Sequence, residues 1–191
     1  MALTPSTMLP LGTPAPSFRL PDPTGRLFAL EDFAGAPALA VMFLCNHCPY
    51  VKHVADGVAR FARDYAGRGL AVVAINPNDA ARYPDDAPPR MAEEAARRGY
   101  GFPYLVDGGQ AVAKAYRAAC TPEFYLFDAE RRLVYRGQFD GSRPGNAVPV
   151  TGADLRAAVD ALLAGREVGA DQKPSVGCSI KWKPGAEPSY V

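Results

Sequence analysis

Two thiols three residues apart, Cys45 and Cys48, are the side chains of this chain best suited to chemistry. Asn46 and His47 lie between them, and Pro49 and Tyr50 follow. A dithiol at this spacing can close to a disulfide, hand that disulfide to another molecule, or hold a soft metal ion. Cys45 reads as the nucleophile and Cys48, one helical turn on, as the thiol that resolves a mixed disulfide. His47 can favour the Cys45 thiolate. His47 and His53 are the two histidines of the chain, so Cys45, Cys48 and His53 form an alternative metal-ligand set.

The dithiol needs elements to hold it. Before it, Leu39-Ala40-Val41-Met42-Phe43-Leu44 is an apolar run of buried-strand length. After it, Val51, Val54, Val58, Phe61, Ala62 and Tyr65 recur at helical spacing until Gly67 and Gly69. Pro49 suits the first helical turn, where a missing N–H costs nothing. The order is therefore strand, short turn, helix, with the dithiol at a helix N-terminus. Unpaired N–H groups and the helix dipole favour a thiolate there.

The rest of the chain extends this unit. Gly69 to Ile75 is a second continuous apolar run, which makes a strand–helix–strand unit of a parallel sheet. Phe18–Leu20 and Arg26–Leu30 read as a small hairpin, and Asp32–Pro37 as a loop with a helical turn. Asp79 to Pro89 reads as loop, Arg90–Arg98 as helix, Pro103–Asp107 as a short strand and Gln110–Tyr116 as a short helix. Cys120–Asp128 reads as a strand entered through Pro122, and Leu133–Gly137 as its antiparallel hairpin partner. Asp140 to Pro149 is loop. Leu155, Ala158, Val159, Leu162 and Leu163 mark an amphipathic helix. Residues 166–191 read as an irregular tail that packs back on a domain spanning 1–165.

The chain resembles the thioredoxin superfamily, within it the redoxin branch that includes peroxiredoxin-like and TlpA/ResA-like proteins. Leu44 to Pro49 after an apolar strand carries the likeness, together with Thr121-Pro122 before Phe124–Asp128. Gly12 to Leu20 matches a redoxin opening, G-x-x-A-P-x-F-x-L. The segment between Asp79 and Asp107 sits where redoxins carry an insertion. The resemblance implies an α/β thioredoxin-like fold: a central mixed sheet, helices on both faces, a redoxin-type insertion and an N-terminal hairpin. It departs in the Asn46-His47 pair, in Leu44 before the first cysteine, and in a central strand without a carboxylate.

The resemblance implies a thiol–disulfide oxidoreductase with Cys45, Cys48, His47 and Pro122 as catalytic residues. Pro122 is expected to be cis and to face the dithiol. Thr121, Asn46 and Tyr50 are expected on the substrate side, with the backbone beside Pro122 pairing with a bound peptide as an added strand. His47 is expected to make the couple more oxidising than thioredoxin's, at about −270 mV. Cys120 and Cys178 form a candidate second redox pair. The alternatives are a thiol peroxidase and a Sco-like copper or zinc chaperone.

Composition bounds these readings. A chain of 191 residues, 48% apolar, can bury one ordinary core. Its net charge of +1 gives no reason to expect nucleic acid or an anionic membrane as partner. No apolar run approaches the roughly 18 residues of a membrane span. Met1 to Phe18 lacks a basic start and an apolar core and reads as an extended arm, not a signal peptide. Four cysteines are then expected in the cytoplasm, as reactive or inert thiols. The expected partner is a protein or small-molecule disulfide or dithiol, with no bound cofactor and no resident metal.

Overall fold

In the computed structural model, which describes residues 3–191, the strands in chain order are β1 (Leu3–Pro5), β2 (Arg19–Pro21), β3 (Leu27–Ala29), β4 (Ala38–Phe43), β5 (Leu70–Asn76), β6 (Tyr104–Val106), β7 (Cys120–Thr121), β8 (Glu123–Phe127), β9 (Leu133–Gly137) and β10 (Val176–Ser179). The helices are α1 (Pro49–Tyr65), α2 (Pro88–Arg98), α3 (Ala111–Ala115) and α4 (Ala153–Leu163). Met1 and Ala2, the start of the expected arm, lie outside the described residues.

β4 is buried along its whole length because it is the middle strand and both its faces are covered. The central sheet runs β6-β5-β4-β8-β9. β4, β5 and β6 are parallel, β8 runs against β4 and β9 runs against β8, so the sheet is mixed. Alternate residues serve opposite faces. Ala40, Met42, Ala74 and Leu126 pack against α1, α2 and α4. Leu39, Val41, Phe43 and Tyr125 pack against α3, Phe18 and Trp182. β2 and β3 form the expected hairpin.

α1 holds its position through one apolar face, with Val51, Val54, Val58 and Phe61 all buried. Each such side chain contributes roughly 1.5–3 kcal/mol when removed from water. Pro49 is the first helical residue, as its spacing predicts, and Cys48 is the N-cap. α2 starts two residues before its expected bound, with Pro88 and Pro89 in its first turn, and stops at Gly99 in the left-handed conformation.

Two expectations are corrected. The strand read as Cys120–Asp128 is broken at Pro122 into β7 and β8, with the Thr121–Pro122 bond cis. The tail read as irregular contains β10, which lies between β1 and β7 in a second, antiparallel sheet. Trp182 follows it into the core at 7% exposure. Two distant partners give β10 its order, so local composition does not reveal it.

Candidate functional site

Strand β4 ends at Phe43, and the chain turns through Leu44–His47 to reach α1. Asp86, carried in by a 3₁₀ turn at Pro84–Asp86, secures this turn. Its side chain is fully buried and accepts the Asn46 N–H at 2.6 Å, Asn78 Nδ2 at 2.9 Å and Asn76 Nδ2 at 3.2 Å. His47 Nδ1 donates to its other oxygen contact at 2.6 Å. Burial opposes ionisation of Asp86, but the hydrogen bonds from His47, Asn46 and Asn78 outweigh it and hold its carboxyl below the ordinary value. With Nδ1 bound to Asp86, His47 Nε2 is buried and has no hydrogen-bond partner among the described residues. The Tyr83 ring stacks on the imidazole, with centroids 5.1 Å apart.

Both thiols meet Thr121. Cys45 Sγ lies 3.1 Å from Thr121 Oγ1, and Cys48 Sγ donates to the Thr121 carbonyl at 3.3 Å. Pro122, cis as expected, follows directly. Cys45 is 2% exposed and Cys48 fully buried. Hydrogen bonds from Cys45, Cys178 and the Val51 N–H converge on the Cys48 sulfur. They outweigh its burial and hold this thiol well below the ordinary cysteine value. Cys45 moves the other way, raised by burial, by its bond to Cys48 and by the Asp86 charge. The two thiols are thus shifted in opposite directions. Cys48 is the N-cap of α1, and Asp86 is the hydrogen-bond partner of His47.

Other expected residues divide. Tyr50 flanks a shallow groove with Pro122, Phe124 and Phe139. The Asn46 side chain is engaged inside the protein: Nδ2 donates to the Asp85 carbonyl at 2.8 Å and Oδ1 accepts from Tyr104 at 3.1 Å. It fixes the turn. His53 is not with the thiols; its Nε2 lies 2.7 Å from Ser142 Oγ. The proposed metal set is therefore corrected. Among the described residues, the grouping whose ligand atoms lie within 4.8 Å of one another is Cys45, His47 and Asp86. Thiolate, imidazole and carboxylate would suit zinc or copper, though His47 and Asp86 would have to exchange their mutual hydrogen bond for the ion.

Cys120 and Cys178 stand on paired strands and act on each other electrostatically, but their hydrogen-bond partners differ. The Cys120 thiol points to the Pro122 carbonyl at 3.9 Å and the Glu123 carboxyl at 3.8 Å. Cys178 instead bonds to Cys48 through thiol and backbone, and the Tyr50 N–H reaches the Cys178 sulfur. The edge of Thr121 expected to receive a peptide is taken by the chain's own tail, with Cys178 opposite Thr121 and Ser179 opposite Cys120.

Two carboxyls escaped the sequence reading. Asp86 stands in a segment read as plain loop, and its signal there was only an acid in an Asn- and Asp-rich stretch. Glu123 lies on β8 beside Pro122, fully buried, accepting the Ala119 N–H at 3.0 Å and the Tyr125 hydroxyl at 2.7 Å. Burial pushes its carboxyl up to about 7 against the pull of these bonds. A single acid in an apolar strand was its signal. No helix among the described residues is long and apolar enough to cross a membrane.

Known proteins share this fold. A solved structure of a hypothetical protein from Sinorhizobium meliloti 1021 is 58% identical, with a TM-score of 0.94 over 95% of this chain and 100% of that one. An uncharacterized conserved protein from Geobacillus kaustophilus is 55% identical, with a TM-score of 0.95 over 97% and 99%. A Mycobacterium tuberculosis protein named "Putative peroxiredoxin" is 28% identical over 123 residues, 64% of this chain and 73% of that one. Solved thiol–disulfide oxidoreductase domains share the fold. The AhpC/TSA family pattern matches residues 11–136, and the chain belongs to that family, a redoxin branch of the thioredoxin superfamily.

Proposed function

We propose that this protein is a thiol–disulfide oxidoreductase whose working couple is Cys45 and Cys48. The observation that carries the reading is the convergence of both thiols on Thr121, beside the cis Thr121–Pro122 bond, at 3.1 and 3.3 Å. Cys45 holds the little exposure the pair has and meets the substrate. As it attacks a substrate disulfide, its proton passes to the Cys48 sulfur, to which it is already hydrogen-bonded. A Cys45–substrate disulfide forms and one substrate thiolate leaves. Cys48 then attacks the Cys45 sulfur, its proton goes to the departing thiolates, and the second half of the substrate leaves. The substrate gains two electrons and the protein dithiol becomes a disulfide.

Several features support this reading without naming the substrate. Family membership is consistent with an oxidoreductase. Because β10 pairs with Thr121, a substrate peptide has no free strand edge there. A small or protruding disulfide approaching beside His47 and Tyr50 fits better. Residues 1–165 supply the dithiol and 166–191 supply β10. A reducing compartment such as the cytoplasm suits four thiols.

The test is disulfide exchange with oxidised glutathione and with a disulfide-linked peptide, by the wild type and by C45S and C48S. C45S is expected to lose exchange with the disulfide-linked peptide. C48S is expected to stop at a mixed disulfide on Cys45. Peptide exchange that survives in C45S would overturn the assignment. Peroxide is the competing substrate, favoured by the downward-shifted thiol at the α1 N-cap. Sulfenic acid on Cys48 forming faster than any disulfide exchange would move the function to peroxidase.

A further inference from the structure

We infer that Cys178 is a third redox thiol of this site, attacking Cys48 in the Cys45–Cys48 disulfide and carrying the oxidation onto strand β10. The inference rests on the Cys45–Cys48 reading above.

Three independent features place Cys178 there. The first is strand register. β10 is held on both sides, with Cys178 opposite Leu3 of β1 and opposite Thr121 of β7. Thr121 is the residue both active thiols touch. The second is the approach of the backbones. Gly177 passes so near Thr121 that a Cβ there would lie 2.1 Å from its carbonyl oxygen. The absence of a side chain at 177 lets β10 come this close. The third is contact. The Cys178 thiol and N–H both bond to the Cys48 sulfur, and the Tyr50 N–H bonds to the Cys178 sulfur. Cys45, Cys48 and Cys178 belong to one apolar cluster, exposed by 2%, 0% and 1%. Cys48 is the sulfur to which both others bond.

The step needs no external oxidant once Cys45 and Cys48 are joined. The Cys178 thiolate attacks the Cys48 sulfur. The Cys45–Cys48 bond breaks and a Cys48–Cys178 bond forms. Cys45 leaves as thiolate and takes the proton that Cys178 gave up, so two electrons move from Cys178 to Cys45. Burial and the bond to Cys48 push the Cys178 thiol up to about 12 in the dithiol state, and the Lys181 charge pulls against them. Cys45 is then reduced and ready for a second substrate disulfide, while the oxidation waits on the tail strand. The step does not use Cys120, whose thiol contacts the Glu123 carboxyl and the Pro122 carbonyl.

The test uses the full chain and oxidised glutathione, with disulfides mapped by peptide mass spectrometry. In C45S, glutathione placed on Cys48 is expected to be displaced by Cys178, so the adduct is lost and a Cys48–Cys178 bond appears. In C45S/C178S and C45S/C178A the adduct persists. The alanine variant guards against a folding defect peculiar to buried serine, and circular dichroism checks both. C120S/C45S is expected to form the same Cys48–Cys178 bond. An adduct in C45S that lasts as long as in the double variants overturns the relay. If the wild type closes Cys45–Cys48 while C45S fails in this way, exchange stands and the relay alone falls. A wild type that never joins Cys45 to Cys48 overturns both.

Discussion

His47 Nδ1 and Asp86 Oδ2 lie 2.6 Å apart, although 39 residues separate them in the chain. This pair ties the turn that carries the dithiol to the segment inserted after β5. Asp86 binds the backbone of Asn46 with its other oxygen. One buried carboxylate thus fixes both residues between the two cysteines. It also sets a negative charge beside Cys45.

Removing that charge while keeping the shape gives the first prediction. Asp86→Asn loses hydrogen bonds made to a charged group and is expected to cost roughly 1–3 kcal/mol of stability, read by urea unfolding. The Cys45 thiol should ionise more readily, so alkylation at a fixed pH should speed up. Unchanged alkylation would mean that Asp86 does not act on Cys45.

The same carboxylate gives a pH dependence. Its folded value lies below the ordinary 3.8. Between these two values the unfolded chain binds the proton and the folded one does not. The stabilisation is therefore present above about pH 4 and is lost as pH falls through the lower folded value. Urea midpoints should drop across this window in the wild type and drop less in Asp86→Asn.

Glu123 has the opposite sign. Its folded value is about 7 against an ordinary 4.5, so the folded state keeps the proton longer. Its contribution is fully present below pH 4.5 and gone above about pH 7. Wild-type stability should fall by about 3 kcal/mol across this range, from the size of the shift. Glu123→Gln should flatten that part of the profile.

Much of this arrangement was legible in the sequence, and the reasons are local. The apolar run to Leu44, Pro49 at a helix start and the spacing from Val51 to Tyr65 are short-range patterns, and they gave β4, the turn and α1. Thr121-Pro122 was legible as a loop entering a strand. Asp86 and Cys178 were not, because their roles come from contacts across 39 and about 130 residues that no periodicity records. The opposed shifts of the Cys45 and Cys48 thiols were hidden for the same reason. They follow from which thiol the N-cap geometry and β10 both reach.

A packing prediction follows from β10. Gly177→Ala would drive a Cβ into the Thr121 carbonyl oxygen, 2.1 Å away, with its carbon at 2.7 Å and the Pro122 ring at 3.2 Å, none of them a flexible side chain that could yield. Overpacking of this kind costs about 1–3 kcal/mol. Urea unfolding should register that loss, and reactivity of Cys178 toward iodoacetamide should rise as β10 lifts from Thr121. An alanine variant of wild-type stability would contradict the close approach.

The downward shift of the Cys48 thiol has a redox consequence. A thiolate stabilised in the dithiol state disfavours the disulfide, so the couple should be more oxidising than thioredoxin's roughly −270 mV. Thiolate absorbance near 240 nm should titrate below the ordinary cysteine range and vanish in C48S. Absorbance that survives in C48S and vanishes in C45S would reverse the assignment.

The most direct measurement is a redox titration of the metal-free full chain in glutathione buffers of defined potential, with thiol trapping and peptide mass spectrometry at each point. The expected result is a Cys45–Cys48 disulfide that opens and closes reversibly at one potential above about −270 mV. Cys45 and Cys48 both remaining reduced in the most oxidising buffer would contradict the oxidoreductase reading.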